Sequence, residues 1–80
     1  MSNKTTVPQL VLENFPHIQR TIKFPDDLDQ NDLQKMHDFL FPILMRDFRS
    51  EWEATCDEVD QMLEEGLAAF NTEDGTITLL

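Results

Sequence analysis

Four groups of side chains in this 80-residue chain carry residue types that do chemistry: an Asp/Asn run near the middle, two histidines, one cysteine, and a crowd of carboxylates after residue 50. Asp27, Asp29 and Asn31 stand at the first three ligand positions of a calcium-binding EF-hand loop, and Asp38 falls at the twelfth. Such positions supply oxygen ligands to Ca²⁺, but the sixth is Asp32 where the sharp turn needs Gly, the ninth is Lys35, and the twelfth lacks the bidentate Glu. The same residues suit a helix start, where Asp and Asn cap free amides. No calcium site is expected. His17, His37 and Cys56 are too scattered for zinc, which takes paired ligands at short spacing. His37 reads as a partly buried histidine on an apolar helix face, and Cys56 as a small hydrophobe. A nucleophilic Cys56 with a histidine base has no supporting motif, and a domain this small has little room for a catalytic pocket. The chain is expected to be no enzyme, with no metal and no cofactor.

The carboxylates carry more information. The chain has 16 acidic and 6 basic side chains, for a formal net charge of -10 and a pI near 4.2. Residues 1–50 hold 7 acids and 6 bases, whereas residues 51–80 hold 9 acids and no base. Segregation of this kind produces an oriented field with one strongly negative side. On a helix, Glu53, Asp57, Asp60 and Glu64 return to one flank at spacings of 4, 3 and 4, while Glu51, Glu58 and Glu65 recur every seven residues on the other. Two carboxylate rows then border one apolar stripe centred on Trp52. Neighbours in the first row lie roughly 5 to 6 Å apart along the axis, comparable to phosphate spacing along a nucleic-acid strand. Like charges so placed are locally unfavourable, and only Arg49 offers relief.

This pattern excludes direct nucleic-acid binding, which needs Lys and Arg to displace counterions. It predicts a non-catalytic protein-binding protein that sets an acidic helix against the basic surface of a partner. Such a protein is of the inhibitor or nucleic-acid-mimic type, and the basic surface is either the nucleic-acid site of a nucleic-acid-binding protein or a Lys/Arg-rich subunit. The alternative is a structural or adaptor subunit whose amphipathic helix assembles a homodimer or larger complex, the acids forming a solvated rim. Phe39 and Ile43 fit the helical faces least well and are the candidates for an apolar interface.

The elements that position these residues follow from periodicity and punctuation. Residues 1–6 read as a flexible polar tail and residues 7–80 as a single small domain. Gln9 to Glu13 reads as a short strand, with a single helical turn as the alternative. Residues 17–24 alternate Ile18, Ile22 and Phe24 against His17, Gln19, Thr21 and Lys23, the period of a half-buried strand. Helices are expected over about 29–41 and 43–70, broken at Pro42, which lacks an amide hydrogen and clashes with the preceding turn. The second, about 40 Å long at the helical rise, would gather Leu44, Phe48, Trp52, Val59, Leu63 and Phe70 on one face, with Gly66 allowing close backbone approach. Thr76 to Leu80 would add a short edge strand. The fold class is therefore α+β, dominated by helix.

Composition bounds the rest. The apolar share is 40%, but six Phe, one Trp and four Met argue for a folded domain. The longest apolar run, Phe39 to Leu44, is interrupted by Pro42 and falls far short of the roughly 20 residues that span a bilayer. The first residues lack the apolar centre of a secretory signal, and one cysteine forms no internal disulfide. A cytoplasmic location, with no membrane contact, is expected.

Overall fold

The computed structural model describes residues 3–80; of the tail expected over 1–6, residues 1 and 2 lie outside the described residues. It is an α+β chain dominated by helix, with 58% of the described residues helical and one three-stranded antiparallel sheet among them. The order is β1 (Asn3–Thr5), α1 (Val7–Asn14), α2 (Pro16–Thr21), α3 (Leu33–Asp47), α4 (Arg49–Glu64), β2 (Ala68–Asn71) and β3 (Thr76–Leu79).

Both strands expected near the N-terminus are helices. The segment expected as a strand over 9–13 lies in α1, which starts at the buried Thr6, whose hydroxyl accepts from the Gln9 amide at 3.4 Å. Pro8 sits in the first turn, where its missing amide costs nothing. The segment expected as a strand over 17–24 lies largely in α2, opened by Pro16 and closed where the Ile22 amide reaches the Ile18 carbonyl at 3.0 Å. Ile18 and Ile22 are four residues apart, so one helical turn buries both. The alternation was compatible with either period; proline at the start permits a helix, and burial of Ile18 and Ile22 in the cluster with α3 selects it.

α3 begins at Leu33, later than the expected residue 29. Asp32 caps it, accepting from the Gln34 and Lys35 amides at 3.1 and 3.2 Å. It then runs through Pro42 to Asp47, so the expected break at Pro42 does not occur. Met36, Leu40 and Leu44 make its buried face, and Pro42 and Asp38 both lie on the exposed side. Water can therefore serve the Asp38 carbonyl that Pro42 leaves without a donor.

The break comes at Phe48 instead, whose amide closes α3 on Leu44 at 2.9 Å while its carbonyl accepts from Trp52 at 3.0 Å. The expected single helix over 43–70 is thus the end of α3, then α4, then β2. α4 has 16 residues, about 24 Å long. At its end the Gly66 amide donates to Leu63 at 3.3 Å and the Leu67 amide to Met62 at 2.9 Å, with Gly66 at φ 73°. These bonds form a Schellman cap. Gly66 is there for its left-handed backbone, and a Cβ at this position would meet open space rather than a close backbone neighbour.

β3 is found where a strand was expected, but it is the centre of the sheet, flanked by β1 and β2 in the order β1-β3-β2. Asn3–Thr5, within the segment expected as a tail, pair with it as Asn3 with Leu79 and Thr5 with Ile77. β2 and β3 form a hairpin across Thr72–Gly75, in which Gly75 takes φ 70° and the Asn71 side chain accepts from the Glu73 amide at 2.9 Å.

Apolar burial is divided in two. Val11, Leu12, Ile18, Ile22, Met36, Leu40 and Leu44 form one cluster between α1, α2 and α3, with Phe48 and Trp52 packed on its margin. Val59, Ala68 and Ile77 form a second between α4 and the sheet, joined by Leu10, Met62 and Leu63. α1 packs against both α3 and α4, and Val7 touches both clusters' surroundings. Breaking the long amphipathic segment at Phe48 and Gly66 lets one stripe supply both clusters. No helix among the described residues is long and apolar enough to cross a membrane.

Candidate protein-binding face

The seven acids proposed as a binding face remain together, but the two rows differ in setting. On α4 the fully buried positions are Thr55 and Val59, which turns the helix so that Trp52 lies at the edge of the buried face rather than its centre. Glu53, Asp57, Asp60 and Glu64 consequently face outward, all exposed. The second row borders the core: Glu51 is half-buried, and the exposed Glu58 accepts a hydrogen bond from the Asn14 amide group of α1 at 2.9 Å. Glu65 is the exposed C-cap residue of α4.

Compensation is sparse. Arg49 bonds Glu53 at 3.3 Å, both side chains about two-thirds exposed, and no base occupies the last turn of α4. Carboxylates there oppose the negative end of the helix macrodipole, and Arg49 at the first position opposes the positive end. Glu51 in the first turn suits the positive end, but Arg49 and the carboxylates of the last turn are arranged against the helix's local preference.

A cleft of about 210 Å³ lies beside the outward row, between α4 and β2, lined by Val7, Cys56, Val59, Asp60, Leu63 and Phe70. Phe70 reaches it because β2 pairs Phe70 with Ile77, on the sheet face turned toward α4. Placing Phe70 on a helix hid this arrangement. The available signal was the turn-forming Asn71–Gly75 run between Leu67–Phe70 and Thr76–Leu79, which reads as a hairpin.

Cys56 sits on the cleft wall, and its thiol is pushed up from the ordinary cysteine range by burial first, then by Asp60, Asp57 and Glu53. It is therefore held as a protonated thiol, and neither histidine is among the groups that act on it. His17 is exposed on α2. The His37 ring is half-buried and stacks on Phe41 at 5.6 Å, and Phe41 in turn meets Trp52 edge-on at 5.3 Å.

The Asp/Asn run does structural work. Asp29 accepts from the Asn31 amide at 2.9 Å, Asp32 caps α3, and Asp38 accepts from the Gln34 side chain at 3.1 Å. Among the described residues no three His, Cys, Asp or Glu side chains are grouped to hold a metal ion. Phe39 and Ile43 are half-buried against the first cluster, Phe39 beside Phe24 at 5.6 Å, and together they line a shallow cleft with Ile22 and Phe48. Arrayed outward carboxylates beside an apolar cleft can hold cations and an apolar side chain through electrostatics and burial. Compared with protein-family models, with curated proteins and with solved structures, the chain matches none.

Proposed function

We propose that this chain is a non-catalytic binding protein that occupies a basic surface of a partner protein through α4, in the manner of an inhibitor or nucleic-acid mimic. The observation that supports this reading is the outward row Glu53, Asp57, Asp60 and Glu64, exposed along the helix and paired, among the described residues, only at Glu53. Such a row concentrates negative potential where a partner's Lys and Arg can reach it. It does so at a cost to the helix that carries it. Assembly through a long apolar stripe has less support, since Val59 and the residues around it are already spent on the chain's own second cluster.

The experiment uses basic proteins eluted from heparin, passed over the immobilised chain and over a variant with Glu53→Gln, Asp57→Asn, Asp60→Asn and Glu64→Gln. The wild-type chain is expected to retain proteins that high salt or added DNA releases, and the variant to retain none of them. An equal set on both columns would sink the proposal.

A further inference from the structure

We infer that the cleft between α4 and β2 receives one large apolar side chain from a lysine- or arginine-rich segment of the partner, whose cations meet Asp60, Asp57 and Glu53. This rests on the proposal that the acidic face binds a protein, and it adds what kind of segment is bound.

The cleft is apolar except at Asp60, and its volume of about 210 Å³ suits a side chain rather than a whole small-molecule ligand. Phe70, at its wall, is 48% exposed, so apolar surface is left in water where α4 meets the sheet. Isolated exposed apolar groups are ordinary, but Phe70 borders a concave site. The charge around that site has one sign. Asp60 lines it, and Asp60, Asp57 and Glu53 are all near enough to act on the Cys56 thiol in its wall. Their row continues to Glu64, and no base lies in the last turn of α4 to offset it.

An apolar socket with an anionic rim selects a segment that is apolar at one point and cationic on either side of it. A second copy of this chain is a poor occupant, because it carries a formal charge of -10 and brings the same acidic rim to the contact. A bare phosphate backbone is repelled by that rim. β2 is also an edge strand, so its outer side has no strand partner among the described residues.

Three peptides of equal length probe the site: a lysine-rich peptide with one central Phe, the same peptide with Ser in its place, and a glutamate-rich peptide with the Phe. Binding is measured to the wild-type chain by calorimetry and by backbone amide shifts. The lysine/Phe peptide is expected to bind about tenfold tighter than the lysine/Ser peptide, the gain from burying most of one apolar side chain. Its shifts should centre on Val59, Leu63 and Phe70. The Phe70→Ser variant should lose the tenfold preference between the two lysine peptides. Equal affinity of the two lysine peptides, with both weakened by neutralising the four acids, overturns the socket and leaves the acidic face standing. Lysine peptides that bind neither chain, or both chains alike, overturn the acidic face as well. Tight binding of the glutamate-rich peptide refutes the charge selection. Sedimentation showing a dimer that Phe70→Ser dissociates would assign the cleft to a second copy, against the inference.

Discussion

Neutralising the outward row should make the protein more stable while removing its proposed activity. The variant Glu53→Gln, Asp57→Asn, Asp60→Asn and Glu64→Gln keeps side-chain size and nearly the same helix propensity, and it takes the formal charge from -10 to -6. The row contains three like-charge neighbours at helical spacing, Glu53 with Asp57, Asp57 with Asp60, and Asp60 with Glu64. Each is worth about 0.2–0.5 kcal/mol of repulsion. Removing Glu64 from the last turn also relieves about 0.3–1 kcal/mol of opposition to the macrodipole. Against this stands the loss of the Arg49 contact to Glu53 at 3.3 Å, which is mostly in water and worth about 0.3–0.5 kcal/mol. The balance is a gain of roughly 1 kcal/mol, or about 4–8 °C in melting temperature for a domain of this size. Thermal unfolding followed by circular dichroism at low salt measures it. A repeat at about 1 M salt, where the screening length falls to ~3 Å, should erase most of the gain. A variant that melts at or below the wild type at low salt would refute the electrostatic reasoning. A gain that survives high salt would assign the effect to something other than charge.

The remaining predictions test individual elements. Cys56 should react with a neutral alkylating agent more slowly than a free thiol at neutral pH, and the four-acid variant should react faster because three of the charges that raise its pKa come from that row; equal rates would contradict the placement of the row beside the thiol. Pro42→Ala should stabilise the protein by about 2 kcal/mol, restoring a helical hydrogen bond on the exposed side of α3, whereas a protein broken at Pro42 would gain nothing in a denaturant titration. Asp74 is held below the usual carboxylate range chiefly by the Thr76 hydroxyl, which donates at 2.6 Å, and by the Thr76 amide. Its contribution is therefore present above the ordinary Asp pKa and lost as pH falls through the lowered one. The stability difference between wild type and Asp74→Asn should be constant near neutrality and shrink on acidification, and a difference independent of pH would exclude the charge as its source.

Helix breaking at Phe48 and Gly66 has a consequence for how the charge is displayed. A continuous helix over 43–70 would centre its buried face on the average of all its apolar positions. The shorter α4 answers only to Thr55 and Val59, which point into the molecule, and to Met62 and Leu63 beside the sheet. That rotation moves Glu53, Asp57, Asp60 and Glu64 to the outermost meridian, leaves Glu51 half-buried and draws Glu58 to Asn14 of α1. Two rows of equal standing become one exposed row and one that serves the fold.

The acidic row itself, the helix-dominated α+β class and the strand at Thr76–Leu79 were legible in the amino-acid order, because each rests on short-range spacing. A carboxylate every third or fourth residue shares a helix face whatever surrounds it, and β-branched alternation favours a strand locally. The N-terminal segments were not legible in this way. Pro8 and Pro16 allow a helix start as readily as a turn, and only burial of Val11, Leu12 and Ile18 against α3 selects helix. The fate of Pro42 was decided by which side of α3 faces water, a property of packing rather than of proline. The end of α4 was decided by the sheet: Gly66 tolerated a helix locally, but Ala68 and Phe70 are needed beside β3, and β3 in turn holds Asn3–Thr5 from the other end of the chain. Sequence alone thus determined which charges lie together. Which way they face, and that an apolar cleft opens beside them, followed from contacts between residues far apart in the chain, to which local propensity is blind.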